Sequence, residues 1–202
     1  MADGRWRPAC GRLWLTTDDR RSTTDHPTSV SSLVMAVFPI RVWPDPVLRT
    51  PAAFVTTIDD DIRRLVDDMV ETMYAAPGVG LAAPQIGISL RVVVFDAGDG
   101  VHHLINPEIV ETSGGSWAFD EGCLSVPDRF WEIKRPAFAR ARGLDLDGNE
   151  VEYAGDELMG RVLQHETDHI EGRLLLERLP RRTRKQALRG LREEAMGLRG
   201  GP

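Results

Sequence analysis

Few side chains in this sequence could cross-link the chain. Two of its 202 residues are cysteines, Cys10 and Cys123. They could form a single disulfide, which would join a tail-like segment to a turn in the middle of the chain. Because disulfides are rare in reducing compartments, the better expectation is two free thiols in a cytoplasmic protein. Cys123 is then available for chemistry.

The sequence also has no long uninterrupted apolar run. The longest, at 30–40, is broken by Ser31, Ser32 and Pro39, and it falls short of the roughly 20 apolar residues that cross a bilayer. It also lacks the flanks of a signal peptide. We therefore expect no membrane partner. With 42% hydrophobic and 28% charged residues, the chain is typical of one globular domain with a substantial core.

Basic residues are outnumbered overall but concentrated near the C-terminal end. The net charge is −6, yet residues 181–202 hold seven basic side chains against Glu193 and Glu194. That surplus of five positive charges leaves −11 on the rest of the chain. An acidic body with a basic tail is unlike a DNA-binding domain, so we expect no DNA partner, although the tail could contact another polyanion.

The chain divides into three parts by composition. Residues 1–34 are rich in Arg, Asp, Ser and Thr without periodicity, which is typical of a disordered extension. An organellar transit peptide is one alternative, since five arginines are present, but four aspartates count against it. The interpretation that we favour is that Met35 is the natural start, so that residues 1–34 are not native. We expect a compact domain at 35–180 and a basic helical tail at 181–202.

Hydrophobic periodicity predicts three helices and several strands. The first helix spans about 59–75, with acids at its start and Pro77-Gly78 after its end. A second opens at Gly155-Asp156 and ends at Gly172, and a third spans about 183–196. The segment 78–87 is too rich in Gly and Pro to predict a regular element. Strands are predicted near 90–96, 104–105, 108–113, 131–133, 137–146 and 151–153.

The second helix carries the motif H-E-x-x-H, in the run 164–169. A step of four residues places His165 and His169 on one helical face, one turn apart. Two imidazoles held in this way can bind one transition metal ion, and Glu166 is placed to move protons. The alternative is a set of ordinary surface polar groups. The apolar residues around the motif favour a partly buried helix, on which ionisable groups need partners.

Two histidines leave a metal site one ligand short. A zinc endopeptidase would take a further His or Glu downstream, but no histidine follows His169, and the glutamates that do are only Glu171, Glu177, Glu193 and Glu194. His26 lies upstream, as do His102 and His103, which sit beside a predicted hairpin turn where exposed histidines are ordinary. Cys123 is better placed, since the glycine before it allows a close approach of the backbone. A lone cysteine is nevertheless more often a buried apolar residue than a ligand.

Three segments together resemble the peptide deformylases. They are Gly78-Val-Gly-Leu-Ala-Ala-Pro-Gln85, Glu121-Gly-Cys-Leu-Ser125 and Gln164-His-Glu-Thr-Asp-His169, in the order and approximate spacing of that family. The resemblance extends from about Met35 to about Leu179. With it we expect an α+β fold, in which antiparallel strands pack around the central H-E-x-x-H helix, with one helix before it and a C-terminal helix after it.

The resemblance implies that Cys123, His165 and His169 bind one divalent metal ion and leave a fourth position for water. The ion in this family is usually Fe²⁺. Ni²⁺, Co²⁺ and Zn²⁺ can also occupy such a site, because a thiolate with two imidazoles binds several of these ions.

The resemblance also implies the reaction, which is hydrolysis of the N-formyl group from nascent polypeptides that begin with formylmethionine. The metal ion would lower the pKa of a water molecule that attacks the formyl carbon. Glu166 would take up the water proton and deliver it to the leaving amine, so that formate is released. The Gln85 side-chain amide and the Leu124 backbone N–H would donate hydrogen bonds to the developing oxyanion.

Substrate binding is implied for a second set of residues. Backbone groups of Gly80 would bind the peptide backbone, as in strand addition. The methionine side chain needs an apolar pocket, and each residue proposed for it is also a reasonable core residue. These pocket residues are Val79, Leu124, Leu158 and Val162.

Two positions depart from the family pattern. Arg129-Phe130 stands where many members place the basic residue one position later, and Gly160 lies inside the metal-bearing helix, where it costs roughly 1 kcal/mol of helix propensity. The basic tail at 181–202 suggests docking to ribosomal RNA, with a solvated helix as the alternative. Two rival functions remain, an H-E-x-x-H endopeptidase and an inactive paralogue that binds formylated peptides.

Overall fold

A computed structural model describes residues 36–113 and 115–197, and the predicted extension at 1–34 lies outside them, as does Cys10. Within the described residues the chain forms three α-helices and seven β-strands. The helices are α1 (Asp60–Ala75), α2 (Glu157–Ile170) and α3 (Arg181–Ala195). The strands are β1 (Gly80–Ala82), β2 (Val92–Asp96), β3 (Val101–Thr112), β4 (Ser116–Cys123), β5 (Val126–Pro136), β6 (Phe138–Leu144) and β7 (Glu150–Asp156).

The strands form two antiparallel sheets. Five of them make a sheet in the order β1-β2-β3-β6-β7, while β4 and β5 form a separate hairpin. The hairpin is inserted between β3 and β6, which are neighbours in the larger sheet. The predicted α+β class, with antiparallel strands, one helix before the H-E-x-x-H helix and one after it, is confirmed.

Helix α1 follows its sequence signals closely. The Asp59 side chain accepts hydrogen bonds from the backbone N–H groups of Asp61 and Ile62, which would otherwise lack partners in the first turn. The apolar stripe packs into a cluster with β1 and β2. This stripe consists of five buried apolar residues at helical spacing, namely Ile62, Leu65, Val66, Met69 and Met73.

Helix α2 is buried on most of its circumference although its sequence is polar. It packs against β6, β7, β1 and β3 of the large sheet. The buried side chains include His165, Glu166, Asp168 and His169. A polar helix in such a position is stable only if its ionisable groups have partners or ligands.

Gly160 sets how closely α2 approaches the sheet. A Cβ atom at this position would lie 2.5 Å from the carbonyl oxygen of Gly155 and 3.1 Å from the backbone nitrogen of Ala139. The departure from helix propensity noted in the sequence therefore has a packing cause, since any larger residue would push the helix off β6.

Two parts of the sequence prediction were wrong. The segment 78–87 was predicted to be irregular, but it contains β1 and a 3₁₀ helix at Ala83–Ile86. Tertiary pairing overrides local preference here, because Gly80 pairs with Phe95 and Ala82 with Val93 along β2.

Strand β4 was not predicted from the sequence. The acids and the glycine near its end interrupt the alternation of apolar and polar residues that identifies a strand. None of the described helices is long and apolar enough to cross a membrane.

Candidate metal centre and active site

Cys123, His165 and His169 converge on one point. Cys123 ends β4, and the two histidines project from α2. The Nε2 atom of His169 lies 3.3 Å from Cys123 Sγ and 3.2 Å from His165 Nε2. In the described part of the chain, these three form the one group of three or more His, Cys, Asp and Glu residues arranged to hold a metal ion.

The three candidate ligand atoms lie within 4.8 Å of one another, and two of their separations can be compared with the geometry of a transition-metal site. Metal–sulfur and metal–nitrogen bonds of about 2.3 and 2.0 Å in a tetrahedron place neighbouring ligand atoms roughly 3.3–3.6 Å apart. The observed separations of 3.2 and 3.3 Å are close to these values. The donor set of one sulfur and two imidazole nitrogens suits Fe²⁺, Co²⁺, Ni²⁺ and Zn²⁺ alike.

Glu121 orients the first histidine. Its Oε1 atom lies 2.6 Å from His165 Nδ1, so this carboxylate accepts a hydrogen bond from Nδ1–H and leaves Nε2 facing His169. Burial raises the pKa of Glu121, but hydrogen bonds from His165 and Arg135 outweigh burial and hold that pKa well below its usual range. Glu121 therefore stays ionised and fixes the imidazole by charge as well as by direction.

The two imidazoles differ in their electrostatic surroundings. Burial lowers the pKa of each. For His165, the contacts with Cys123 and Glu121 more than offset burial, so its pKa is raised well above the usual value. The pKa of His169 is lowered well below it, by burial and by the neighbouring charge on His165. His169 is therefore neutral, which is the form that binds metal ions, whereas His165 must release its Nε2 proton when an ion binds.

Glu166 lies in the same site without a hydrogen-bond partner on Oε2 among the described residues. It is 5% exposed. Burial raises the pKa of Glu166 to about 7, since removal from water disfavours the charged form. A carboxyl group with a pKa near neutrality can both accept and donate a proton under physiological conditions.

Gly80 faces this carboxylate directly. A Cβ atom added at Gly80 would lie 2.3 Å from Glu166 Oε1, so β1 and Glu166 can approach as they do only with glycine at this position. The proximity of Glu166 is thus a second reason for glycine at this position, beside its predicted role in substrate binding.

The amide of Gln85 is held with its nitrogen toward Cys123, one of the three candidate metal ligands. Its Oε1 accepts a hydrogen bond of 2.8 Å from the backbone N–H of Ala82, which fixes the orientation of the amide. The Nε2 group then lies 3.9 Å from Cys123 Sγ and 3.4 Å from Ser125 Oγ. Gln85 is 1% exposed, so its position is set by packing.

All four residues predicted for the methionine pocket line one cavity beside the ligands. The cavity encloses about 420 Å³ of space between atoms, its open mouth included. Arg161 lines it as well, one helical turn before His165, with its guanidinium 4.9 Å from the ring centre of Trp117. The four apolar residues are Val79, Leu124, Leu158 and Val162.

Sequence reasoning missed the polar residues behind the ligands. Arg135, on β5, bonds to Glu121 and to Asp168, and Arg161 also bonds to Glu121. Two of these positions lie inside recognised motifs, Glu121 before the cysteine and Asp168 before the second histidine. No local pattern pairs them with an arginine elsewhere in the chain.

The alternative histidines lie elsewhere. His102 and His103 are on β3 and line a groove beside α1. They were expected to be exposed, but both are partly buried, and burial lowers the pKa of His103. His26 falls outside the described residues.

Comparison with known proteins agrees with this geometry. Residues 37–185 match the family model described as polypeptide deformylase. A peptide deformylase of Acidothermus cellulolyticus is 50% identical over 159 residues, which cover 79% of this chain and 88% of the relative. A peptide deformylase of Alkaliphilus metalliredigens is 50% identical over 145 residues, 72% of this chain and 98% of the relative.

Solved structures agree as well. The crystal structure of peptide deformylase from Thermotoga maritima matches this chain with a TM-score of 0.70 and 43% sequence identity. The matched region covers 72% of this chain and 99% of the Thermotoga maritima chain. That of Ehrlichia chaffeensis in complex with actinonin has a TM-score of 0.75 and 37% identity, with 79% and 98% covered. The chain belongs to the polypeptide deformylase family of enzymes.

Proposed function

We propose that the enzyme is a metal-dependent hydrolase that removes the N-formyl group from the N-terminal formylmethionine of nascent polypeptides and releases formate. The observation that supports this most is the convergence of Cys123, His165 and His169 beside the unpaired carboxylate of Glu166. Such polypeptides are made in the cytoplasm, which is the location we propose.

We propose Fe²⁺ as the bound ion. Ni²⁺, Co²⁺ and Zn²⁺ could take its place, because the same donor atoms bind them. When bound, it supplies a Lewis acid that lowers the pKa of a water molecule and polarises the formyl group. Glu121 supports the site by holding the His165 ring with Nε2 toward the ion.

Glu166 moves the protons. Its Oε2 atom takes one proton from the attacking water and passes it to the nitrogen of the leaving amine as the formyl C–N bond breaks. A pKa of about 7 suits both steps, because the group is partly ionised near neutrality. Formate and a free N-terminus are the products.

Gln85 and Leu124 stabilise the negative charge that develops on the formyl oxygen. The Gln85 Nε2 group already points toward Cys123, and its orientation is fixed by Ala82. Leu124 directly follows the ligand Cys123, so its backbone N–H is the second proposed donor. Donors fixed in advance in a dry site need no rearrangement during the reaction, which is why each contributes strongly to the rate.

The substrate binds along β1. Gly80 offers backbone groups to the peptide, and the first side chain enters the cavity lined by the four apolar residues. Arg161 also lines the cavity, and its charge is balanced by Glu121 at 2.7 Å. We propose that an unbranched methionine side chain fills this space.

The assay that separates this function from its rivals uses formyl-Met-Ala-Ser. Metal-loaded enzyme should release formate, whereas Glu166→Ala should release none at comparable protein and metal content. Cleavage of a peptide bond without formate would identify an endopeptidase instead. Peptide binding without turnover in the wild type would identify an inactive paralogue, and either result would refute the proposal.

We also propose that α3 docks the enzyme on the ribosome. The helix packs on the domain through Ala187 and Leu191, so its basic face is directed outward. Arg184 and Arg189 are paired with Glu177 and Glu193. The exposed positions that remain for a polyanion include Arg181, Arg182 and Lys185.

This packing decides the design of the ribosome experiment. Deleting α3 would remove Ala187 and Leu191 from the core, so truncation confuses folding with docking. Reversing the charge of Arg181, Arg182 and Lys185 together keeps the packed face. We expect the triple variant to lose co-sedimentation with ribosomes while it keeps its activity on a free peptide. Undiminished co-sedimentation would exclude a docking role for α3.

A further inference from the structure

The largest side chain in the deep core belongs to an arginine. Arg135 is 2% exposed. Its Nε and Nη2 groups donate hydrogen bonds of 2.9 and 2.7 Å to the two carboxylate oxygens of Glu121. Its Nη1 group donates a bond of 2.8 Å to Asp168 Oδ2. One guanidinium thus bridges two carboxylates that lie on different elements.

These two carboxylates are adjacent to the metal ligands. Glu121 lies on β4, two residues before Cys123, and it accepts a hydrogen bond from His165. Asp168 lies on α2, directly before His169. Arg135, on β5, therefore bonds both to the strand that carries the thiolate and to the helix that carries both imidazoles, beside the direct bond between Glu121 and His165.

Further arginines complete the network. Arg161 donates a bond of 2.7 Å to Glu121 Oε2, and Arg178 Nε donates one of 3.0 Å to Asp168 Oδ2. Each oxygen of Glu121 accepts two hydrogen bonds. The two carboxylates therefore have almost no freedom to turn away from Arg135.

Stability alone is a poor explanation for this arrangement. Taking several charges out of water is expensive, and replacing a buried ion pair with apolar side chains of similar volume is often neutral or stabilising. What a bidentate guanidinium provides beyond stability is a fixed distance and angle between its partners. The quantity fixed here is the separation between β4 and the ligand face of α2.

We propose that Arg135 is a positioning residue for the metal centre, setting the geometry of Cys123 relative to His165 and His169 through Glu121 and Asp168. The inference rests on the proposed function only in taking these three residues as metal ligands. Arg135 does not line the cavity, so it acts through its neighbours. It sets the shape of the site through Glu121 and Asp168, and its positive charge also acts on Glu166 and His169, an effect that Arg135→Lys preserves. Partners that orient ligands in this way typically contribute about 10–100-fold to metal affinity.

The test uses cobalt as a spectroscopic probe. Wild type, Arg135→Lys and Arg135→Met are loaded with Co²⁺ under exclusion of oxygen. Their thiolate charge-transfer and ligand-field absorption bands are recorded, together with the rate of metal loss to a chelator. The matched control is Arg91→Met, since Arg91 is also a buried arginine, 8% exposed, with a 2.8 Å bond to Glu171 near the end of α2.

We expect both Arg135 variants to show shifted absorption bands and to lose the metal about 10–100 times faster than wild type. Arg91→Met should lower the melting temperature but keep the wild-type bands and the wild-type rate of metal loss. Wild-type bands and rates in folded Arg135→Lys would overturn the proposal, as would identical changes in Arg91→Met.

Two further measurements test the proposal if Arg135→Met does not fold or if the wild type is inactive. If Arg135→Met fails to fold, Asp168→Asn removes one half of the bridge, and it should shift the bands in the same direction as Arg135→Lys. Unshifted bands in Asp168→Asn would count against the proposal. Absence of formate release by wild type would refute the deformylase function, whereas the spectra and exchange rates test Arg135 independently of that result.

Discussion

Gly80 and Glu166 stand so close that no side chain fits between them. A Cβ atom at Gly80 would lie 2.3 Å from Glu166 Oε1 and 2.8 Å from the carboxyl carbon. The atoms that would have to move belong to a flexible side chain, so the strain of a substitution could be relieved without moving the backbone. The movement would nevertheless displace the proposed general base.

Gly80→Ala should therefore reduce activity far more than stability. A displacement of the base by about 1 Å is expected to lower kcat/KM on the order of 100-fold. Formate release and thermal unfolding measure the two effects separately. Gly115→Ala is the control, because a Cβ there would meet no atom within 4 Å. Near-normal activity in Gly80→Ala would show that Glu166 is not held as proposed.

Glu166 should destabilise the metal-free enzyme at neutral and alkaline pH. Burial raises its pKa from 4.5 to about 7 in the folded state, so folding favours the protonated form. Stability is then lost as the pH rises from about 4.5 through about 7, with an upper limit on the order of 3 kcal/mol. Glu166→Gln removes this loss.

Thermal unfolding of the metal-free proteins at several pH values measures this effect. The melting temperature of Glu166→Gln should exceed that of wild type at pH 8, and the difference should shrink toward pH 4. A constant difference across this range would mean that the carboxyl group titrates normally in the folded protein.

Gln85 should act on the rate of the chemical step rather than on binding of the peptide. Its amide nitrogen is directed at the site by the Ala82 contact, where it can donate to charge that exists only during the reaction. Gln85→Ala should lower kcat by about 10²–10³-fold, with a smaller effect on KM. Steady-state kinetics of formate release would show this. An unchanged kcat would remove Gln85 from the proposed oxyanion site.

Gly160 and Gly190 should respond in opposite ways to alanine. Helix propensity favours alanine by about 1 kcal/mol at either position. At Gly160 the new Cβ would lie 2.5 Å from a backbone oxygen, whereas at Gly190 the nearest atom is a side-chain nitrogen of Arg129 at 4.0 Å. Gly160→Ala should lower the free energy of unfolding by about 1–3 kcal/mol.

Denaturant unfolding of both variants is the measurement. Gly190→Ala should raise the free energy of unfolding by up to about 1 kcal/mol, which is the pure propensity effect. Stabilisation of both variants to the same degree would show that α2 is not held against β6 by close backbone contact.

The sequence was sufficient where local rules and motifs coincide. Asp59 and the apolar stripe of α1 obey capping and periodicity, and the H-E-x-x-H spacing alone places His165 and His169 together. The role of Cys123 could be predicted only from the resemblance to the family. Its position beside α2 depends on how β4 ends, which no local hydrophobic periodicity predicts.

The remainder depends on contacts between distant residues. Strand β1 forms because β2 pairs with it, although its own residues predict a loop. Arg135 meets Glu121 and Asp168 over separations of 14 and 33 residues, which no sequence window detects. The reason for glycine at position 160 likewise lies in the packing of α2 against β6, which the sequence does not reveal.

Titration of the metal-free enzyme with Co²⁺ under exclusion of oxygen, followed by formate release from formyl-Met-Ala-Ser, tests the metal-dependent function most directly. Activity should be absent without metal, rise linearly with added ion and saturate at one ion per chain, with Cys123→Ala failing to reach that plateau. Formate release by the metal-free enzyme would contradict metal dependence. The same contradiction would follow if the fully loaded wild type released no formate.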